Sequence, residues 1–526
     1  MYKHIIHKQK IVLDIEEQQE AFDYQNTISR LFNNGLTSAI ENILDEISSP
    51  GEVIRIESLQ LELGVINKKN FGQEFEHKLL SSLRNAVIVS KSNAGNGTNN
   101  VIVTKPAVSH REAFIYFITS GRMPWYNDVR DSNAWQHTLF EHWKDEDWKF
   151  ITAWLKSRYA SHPGVLDRLV LQFENEFLIK LAENICPALQ GSGPAGSTSW
   201  KSFINDFYKI APGVTNAGVA SIKSGIWRTV FDILFNTEDI TSSDDIAVRI
   251  ILSYFFSQSE NHYKRLVVQA NDVLQQIETT HVQEVLNAIV DLAKKGQSFH
   301  QIKEHIARTL AKDLTDAETI LLVDKQVNIQ SAAVLTTSTP PVISKAPVKA
   351  TNGKVAKVDE DAEYVTNAGV ILLHPFLGAY FADLGLLENK RFIDNEAHQR
   401  AVLLLHYLAT GEKEAPEFSL LLQKILCGYP PGDTLVTSIQ LSAKEIEESQ
   451  QLLRTVIDYW PPLKNTSVAG FQTTFLQRDG KLSRIDSGWL LQVEQKTVDI
   501  LLGKLPWGFS TIRLPWMLDM MNVEWA

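Results

Sequence analysis

The chain has 526 residues, 44% of them hydrophobic and 21% charged. This is enough apolar material for roughly two to four globular domains, and it excludes disorder throughout the chain. Its 51 basic and 62 acidic residues give a formal charge of -11. No overall positive field therefore attracts nucleic acid or an anionic membrane, and neither is expected as a partner.

The distribution of cysteine and of apolar residues predicts a soluble, cytoplasmic protein. Cys186 and Cys427 are the only cysteines, too few for a disulfide framework, which favours a reducing compartment. Charged and histidine residues interrupt the apolar stretch at positions 1–14, so no signal peptide is expected. No run of about 18 apolar residues occurs, so no membrane span is expected either.

Residues 1–90 are predicted to form a small α/β module, because two alternating segments are interleaved with segments of helical spacing. The two strands could pair and be covered on one face by the helices. The order is a strand at 5–15, a helix at 21–47 interrupted at Gly35, a strand at 53–63 whose phase slips near Ser58, and a helix at 71–87.

The middle of the chain, residues 107–324, is predicted to be a helical domain, because nearly every stretch has apolar residues three or four positions apart. Residues 90–106 are rich in Ser, Asn, Gly and Thr, and residues 325–362 in Pro, Thr, Ala and Lys. Such compositions bury little apolar surface, so both segments are predicted to be flexible linkers.

Residues 363–526 are predicted to form a mostly helical domain with a small sheet. Ser442 followed by Glu445 indicates a capping box that opens a helix ending before Pro461. Alternating apolar residues at 489, 491 and 493 indicate a strand. Further helices are expected around 376–384, 399–409 and 418–426. The predicted fold class is therefore α+β, predominantly α-helical.

Three patterns could indicate a cofactor-binding, metal-binding or catalytic site, and in each case a structural role of the residues is the better explanation. Gly191, Gly193 and Gly196 have the spacing of a dinucleotide-binding loop, but they follow a predicted helix instead of the strand that such a loop requires. His4 and His7 would point to opposite faces of a strand, which disfavours a shared metal. His374 suits a turn or cap better than a catalytic base. No catalytic residue, cofactor site or metal site is predicted.

Tryptophan residues are the main candidates for packing or for contact with a partner protein. Three Pro-Trp dipeptides occur, in which a rigid bend precedes a large amphipathic ring suited to a corner or a contact surface. Packing is favoured over a partner interface, which stays open as the alternative. The candidate interface or packing residues are Trp125, Trp507, Trp516 and Trp525.

Several segments resemble the family of contractile injection system tape measure proteins, which belong to phage-tail-like particles of bacteria. The similarity covers the first ninety residues, the start of the helical middle and most of residues 363–526. The segments are KHIIHKQKIVLDI, VIRIESLQLELGVI, FITSGRMPW, NAGVILLHPFLGAYFADLGLL, HQRAVLLLHYLATGE, KLPWGFSTIRLPWM and the final VEW.

The resemblance implies a structural assembly factor that helps to set the length of an inner tube and works with tube, baseplate and sheath proteins. It implies no catalytic residues and places the chain in the cytoplasm, assembled into a particle, with an oligomer inside the tube left open. The alternatives are a cytosolic adaptor or chaperone, a capping component of the same particle, or an effector enzyme that the particle delivers.

Limited proteolysis tests the domain boundaries. Ordering a backbone costs about 1 to 2 kcal/mol per residue, which the two polar segments cannot offset by burial. We expect the first cuts within 90–106 and 325–362, releasing stable pieces near 1–90, 107–324 and 363–526. Early cuts inside 363–526, with both segments still intact by mass measurement, would contradict these boundaries.

Overall fold

The computed structural model describes residues 4–6, 9–15, 20–92, 101–127, 129, 131–189, 202, 204, 219–236, 250, 280–310, 362–437 and 439–525. The fold is a predominantly helical α+β structure, as the sequence predicted. The chain divides into two compact units, described separately below. The first unit comprises residues 1–117, 123–129 and 137–147; the second comprises 118–122, 130–136 and 148–526.

Three helices build the N-terminal part of the first unit. Helix α1 (Ala21–Leu31) and helix α2 (Thr37–Ile47) meet at a kink where Gly35 has φ +122°, the position at which the sequence predicted an interruption. Helix α3 (Phe71–Ser92) packs against both. Their apolar faces form a core of Ile28, Leu36, Ile40, Phe75, Leu79, Leu83 and Val87.

The two strands of this part differ from those predicted. Strand β1 (Val53–Ile56) ends just before the predicted phase slip, and it pairs antiparallel with strand β2 (Val101–Thr104). The β2 run Val-Ile-Val-Thr has the β-branched composition of a strand, which the surrounding polar residues of 90–106 concealed. The prediction of a linker is therefore wrong for Val101–Thr104, while residues 93–100 lie outside the described part of the chain.

The predicted strand at 5–15 is also wrong where the structure describes it. Residues 4–6 and 9–15 have no regular secondary structure, and the neighbouring side chains Ile11 and Val12 are both exposed. Alternating apolar residues give a segment one burial face, but they do not supply a partner for its backbone. The expected partner, β1, pairs with β2 instead.

The rest of the first unit is helical and aromatic. Helix α4 (Pro106–Ser120) and helix α5 (Ser132–His142) each lie partly in this unit. Phe114 packs edge-on against Trp143, with ring centroids 5.2 Å apart. The rings of His110 and His142 lie 4.8 Å apart, and Arg111 donates to Asp147 over 3.1 Å.

Helices also form the start of the second unit. Helix α9 (Val219–Asn236) packs on α7 (Pro163–Gln172) and α8 (Asn175–Ile185), and Trp227 donates from Nε1 to Asn175 Oδ1 over 3.0 Å. Buried aromatic and aliphatic side chains line this packing, as helical spacing predicts. The remaining helices here are α6 (Asp145–Arg158), which belongs to this unit from Trp148 onward, α10 (Thr280–Lys294) and α11 (Phe299–Leu310).

The C-terminal part of the second unit surrounds a nearly enclosed helix. Helix α13 (Asn395–Thr410) is buried along most of its length because other helices pack around it. The predicted capping box is confirmed, since Ser442 and Glu445 exchange hydrogen bonds at the start of α15. The other helices of this part are α12 (His374–Asp383), α14 (Leu421–Cys427), α15 (Ala443–Tyr459) and α16 (Val468–Phe471).

A five-stranded sheet closes this core. Its order is β3-β6-β7-β9-β8, and β7 runs parallel to β9 while the other neighbours are antiparallel. The strand predicted from the alternation at 489, 491 and 493 is confirmed as β7. The strands are β3 (Glu363–Val365), β6 (Gly480–Ile485), β7 (Gly488–Val493), β8 (Thr511–Ile512) and β9 (Met520–Glu524), with a separate hairpin of β4 (Leu387–Glu388) and β5 (Arg391–Phe392).

The boundaries 1–90, 107–324 and 363–526 stay a prediction. The predicted linker at 325–362 lies outside the described residues except for Ala362, and most of 190–279 lies outside them as well.

Gly428 is a position where the fold requires glycine. It ends α14 with φ +69°, and a Cβ atom there would overlap the backbone carbonyl of Trp516. An L side chain is strained at this φ, and the overlapping group is backbone that cannot rotate away.

We expect Gly428→Ala to lower the free energy of unfolding by roughly 1 to 3 kcal/mol, or more, in urea denaturation. Gly378→Ala is the matched control, because Gly378 lies within α12 with nothing within 4 Å of an added Cβ. That control should leave stability unchanged or slightly raised. Equal destabilisation by both substitutions would contradict the close approach at Gly428.

Candidate functional site

Trp507 connects the C-terminal core to an aromatic surface. It donates from Nε1 to the Leu372 carbonyl over 3.0 Å, and its ring packs edge-on against Phe376 at 5.1 Å. Phe376 in turn lies 6.1 Å from the ring of Tyr459, which is 63% exposed. One side of Trp507 therefore contributes to packing, and the adjoining rings reach solvent.

Trp516 packs against side chains of α12 and β5 and is hydrogen-bonded near the end of α14. Its Nε1 donates to the Leu426 carbonyl over 2.9 Å. Its ring lies 5.6 Å from Phe381 and 5.4 Å from Phe392. The half-buried indole, with its N–H bonded, holds the 514–517 turn against the helices.

Trp525 belongs to a buried charged cluster at the chain's C-terminal strand. Its Nε1 donates to Asp499 Oδ2 over 3.1 Å, and Asp499 also pairs with the fully buried Arg478. The backbone N–H of Lys496 donates to the same carboxylate over 2.7 Å. Asp499 therefore connects Trp525, directly after β9, to Arg478 and to the backbone of Lys496. An open groove of about 470 Å³ lies beside Trp525 and is lined in part by Phe509 and Glu524.

Trp125 is the most exposed of the four tryptophans and lies in the first unit. Its side chain is 41% exposed, and its ring lies edge-on to Tyr126 at 5.9 Å. The Arg55 guanidinium lies 4.3 Å from the centre of the Tyr126 ring and also pairs with Glu112. Of the four predicted positions, Trp125 presents the largest aromatic area to solvent.

A second buried charged cluster, which the sequence did not indicate, lies in the second unit. Arg168 of α7 donates to both carboxylate oxygens of Glu417, over 3.0 and 3.2 Å. Lys424 donates to the same carboxylate over 2.7 Å. Burial lowers the pKa of Lys424, and the negative charge of Glu417 opposes that shift. All three side chains are nearly inaccessible, at 1%, 0% and 2% exposure.

No local pattern marks this cluster, because Arg168 and Glu417 are 249 positions apart in the chain. A glycine directly after α4 is the one local feature beside the cluster: Gly121 has φ +75°, which suits a left-handed helix cap. A Cβ atom on Gly121 would lie 2.7 Å from Glu417 Oε1. The glycine thus admits the carboxylate as well as ending α4.

The structure gives ordinary surroundings to the histidines considered above. His374 begins α12, where its Nδ1 donates to the Ile371 carbonyl over 3.0 Å, and burial lowers its pKa. His4 contacts Asp45 over 2.8 Å. His7 and the three glycines of 191–196 lie outside the described residues.

The chemistry of the described residues is otherwise limited. The Cys427 thiol is not in a disulfide, and complete burial raises its pKa. Among the residues that the structure describes, no group of three His, Cys, Asp or Glu side chains could hold a metal ion. Within the same residues, no helix is long and apolar enough to cross a membrane.

Replacing Trp507 tests its contribution to packing. We expect Trp507→Ala to lower the free energy of unfolding by up to about 3 to 5 kcal/mol, because a large ring and its hydrogen bond are lost. Trp507→Phe is the matched control, which keeps a ring beside Phe376 and should cost about 1 kcal/mol for the lost N–H donor. Unchanged urea midpoints for Trp507→Ala would favour the partner-surface interpretation.

Two buried histidines should make stability depend on pH. Burial lowers the pKa of His406 from 6.5 to about 4, and burial together with the neighbouring His142 lowers that of His110 to about 4. Each folded site therefore favours the neutral ring. The resulting stability is fully present above pH 6.5 and is lost as the pH falls towards 4.

We expect the urea midpoint to fall between pH 7 and pH 4.5, and His406→Gln to reduce that fall. His162→Gln is the control, since His162 is exposed. An identical pH dependence for the unchanged chain and His406→Gln would contradict the role of His406.

Comparison with known proteins gives the chain a family. Residues 3–525, nearly the whole chain, match the contractile injection system tape measure protein family. No curated protein and no solved structure matches the chain significantly. The match spans both compact units and includes every segment whose resemblance was noted above. The chain therefore belongs to the contractile injection system tape measure protein family.

Proposed function

We propose that this protein is a tape-measure-like assembly factor that helps to set the length of the inner tube of a contractile particle. The observation that carries the proposal is the family match over residues 3–525. Membership of this family supports a structural role. Length determination is the specific form of that role proposed for this chain.

The partners follow from the same role. The tube, baseplate and sheath proteins of the particle are the proposed partners, and assembly in the cytoplasm is the proposed location. The exposed aromatic area at Trp125 and the Phe376–Tyr459 surface are the proposed contact surfaces. No catalytic step is proposed.

The geometry restricts how the chain could measure length. An entirely helical chain of this length would extend at most ~800 Å at about 1.5 Å per residue. The longest described helix, α3, has 22 residues and so spans roughly 33 Å. A chain that measures length as an extended helix would therefore have to unpack its compact units when it enters the tube.

A second candidate function is favoured by the compact packing. A protein that stays folded would serve as an adaptor or chaperone, or as a cap at one end of the tube. The enclosed core of residues 365–525 supports this alternative, because unpacking it would expose many buried apolar side chains. A delivered effector enzyme is the remaining alternative, and no cluster of described residues supports it.

Deleting a helical segment distinguishes these functions. Helices α10 and α11 pack against each other, and removing residues 280 to 310 deletes 31 positions. If the chain measures length as an extended helix, particles should be shorter by roughly 45 Å, with a narrow length distribution in electron micrographs.

The matched control replaces the same 31 residues with a helix-forming sequence of equal length. If the chain measures length, particles with this replacement should have the original length. A narrow distribution at the original length in the deletion would reject a ruler function for this segment. Particles of irregular length, or none, would favour the adaptor or cap.

A further inference from the structure

The C-terminal part of the second unit has a core of its own. Its buried cluster runs from Val365 to Trp525 and includes residues of α12 to α16 and of the five-stranded sheet. A part of the chain with its own core can remain folded when a neighbouring part moves away.

Hydrogen bonds and an ion pair attach α7 to this part. Arg168 contributes most of them: besides Glu417, it donates to the Gly432 carbonyl over 2.7 Å. Gln172 donates from Nε2 to the Leu435 carbonyl over 2.8 Å. We call these contacts of Arg168 and Gln172 with residues 417–435 the polar joint.

The polar joint is also tied to the end of α4. Arg168 donates from Nη1 to the Ile118 carbonyl over 2.9 Å, and Gly121 leaves room for the Glu417 carboxylate. One guanidinium thus links three segments that are far apart in the sequence. Removing it would break the contact of α7 with Glu417, and it would leave the Gln172–Leu435 hydrogen bond and the Arg122–Glu363 ion pair in place.

Glu417 keeps a partner even when the polar joint opens. Lys424 lies in the same C-terminal part of the chain as Glu417, donates to its carboxylate, and also donates to the Asp433 carbonyl over 2.7 Å. A buried carboxylate left unpaired would be costly, but here the Glu417–Lys424 pair can persist after Arg168 leaves. Arg168, in turn, regains full hydration when it moves into solvent.

We propose that the polar joint is a releasable attachment, through which the helices around α7 separate from the C-terminal core while both remain folded. This conformational device does not depend on the proposed role in length determination. Arg168 is the positioning residue of the attachment, and the Glu417–Lys424 pair is the part that stays behind.

The experiment measures the distance between two spin labels on the full-length protein. The labels are placed at exposed positions through Lys156→Cys on α6 and Arg454→Cys on α15, with Cys186 and Cys427 replaced by Ala. In this background, Arg168→Met should add a population at longer distances. Because Glu417 keeps Lys424 as a partner, the loss of the charge-assisted hydrogen bonds of Arg168 shifts this equilibrium by on the order of 10- to 100-fold.

Lys424→Met is the matched control, because it removes the other cation from the same carboxylate and leaves the Arg168–Glu417 contact intact. It should leave the distance distribution unchanged. Equal longer-distance populations in both variants would overturn the proposal, as would an unchanged distribution in Arg168→Met.

A global loss of structure is distinguished by a second measurement. Near-ultraviolet circular dichroism of Arg168→Met should match that of the labelled parent, since both parts keep their cores. Loss of that signal together with the longer distances would overturn independent folding. If Arg168→Met does not yield soluble protein, Gln172→Met removes one bond of the polar joint and should produce a smaller shift in the same direction; no shift would count against the proposal.

Discussion

Glu417 is completely buried between two cations, and the arrangement of the second unit depends on that pairing. A charge removed from water must be paired and hydrogen-bonded, so Arg168 and Lys424 have little freedom in where they lie. Because Arg168 also holds the carbonyls of Ile118 and Gly432, one carboxylate determines the positions of three distant segments. Asp499 has the same function for the final strand, through Arg478 and Trp525.

Three of the segments that resemble the family build the enclosed core of residues 365–525. The segment 367–387 contains the turn before α12 and α12 itself, and the segment 398–412 covers most of α13. The segment 504–517 places Trp507 and Trp516 against them, each indole donating to a carbonyl of that core. These three segments therefore contribute to one enclosed core, while the family match itself extends over residues 3–525.

The sequence predicted what local patterns determine. Helical spacing located most helices, the Ser442–Glu445 capping box was found, and the alternation at 489–493 gave β7. The N-terminal strand failed because alternation at 5–15 specifies a burial face but not a backbone partner, and β2 was missed inside a polar stretch.

The two buried charged clusters could not have been predicted. Each brings together side chains that are distant in sequence, and no spacing rule distinguishes Arg168 from the other basic residues of the helical region. The Trp positions were predictable as candidates because their rings are large, but their hydrogen-bond partners were not. Which rings are buried depends on the three-dimensional packing alone.

We infer that this chain is a structural component of a contractile particle. Quantitative mass spectrometry of purified, finished particles tests this role most directly, with the chain measured against baseplate and sheath proteins in the same sample. We expect a fixed ratio of this chain to the baseplate proteins across independent preparations. Absence of the chain from finished particles, or a ratio that varies freely between preparations, would contradict it.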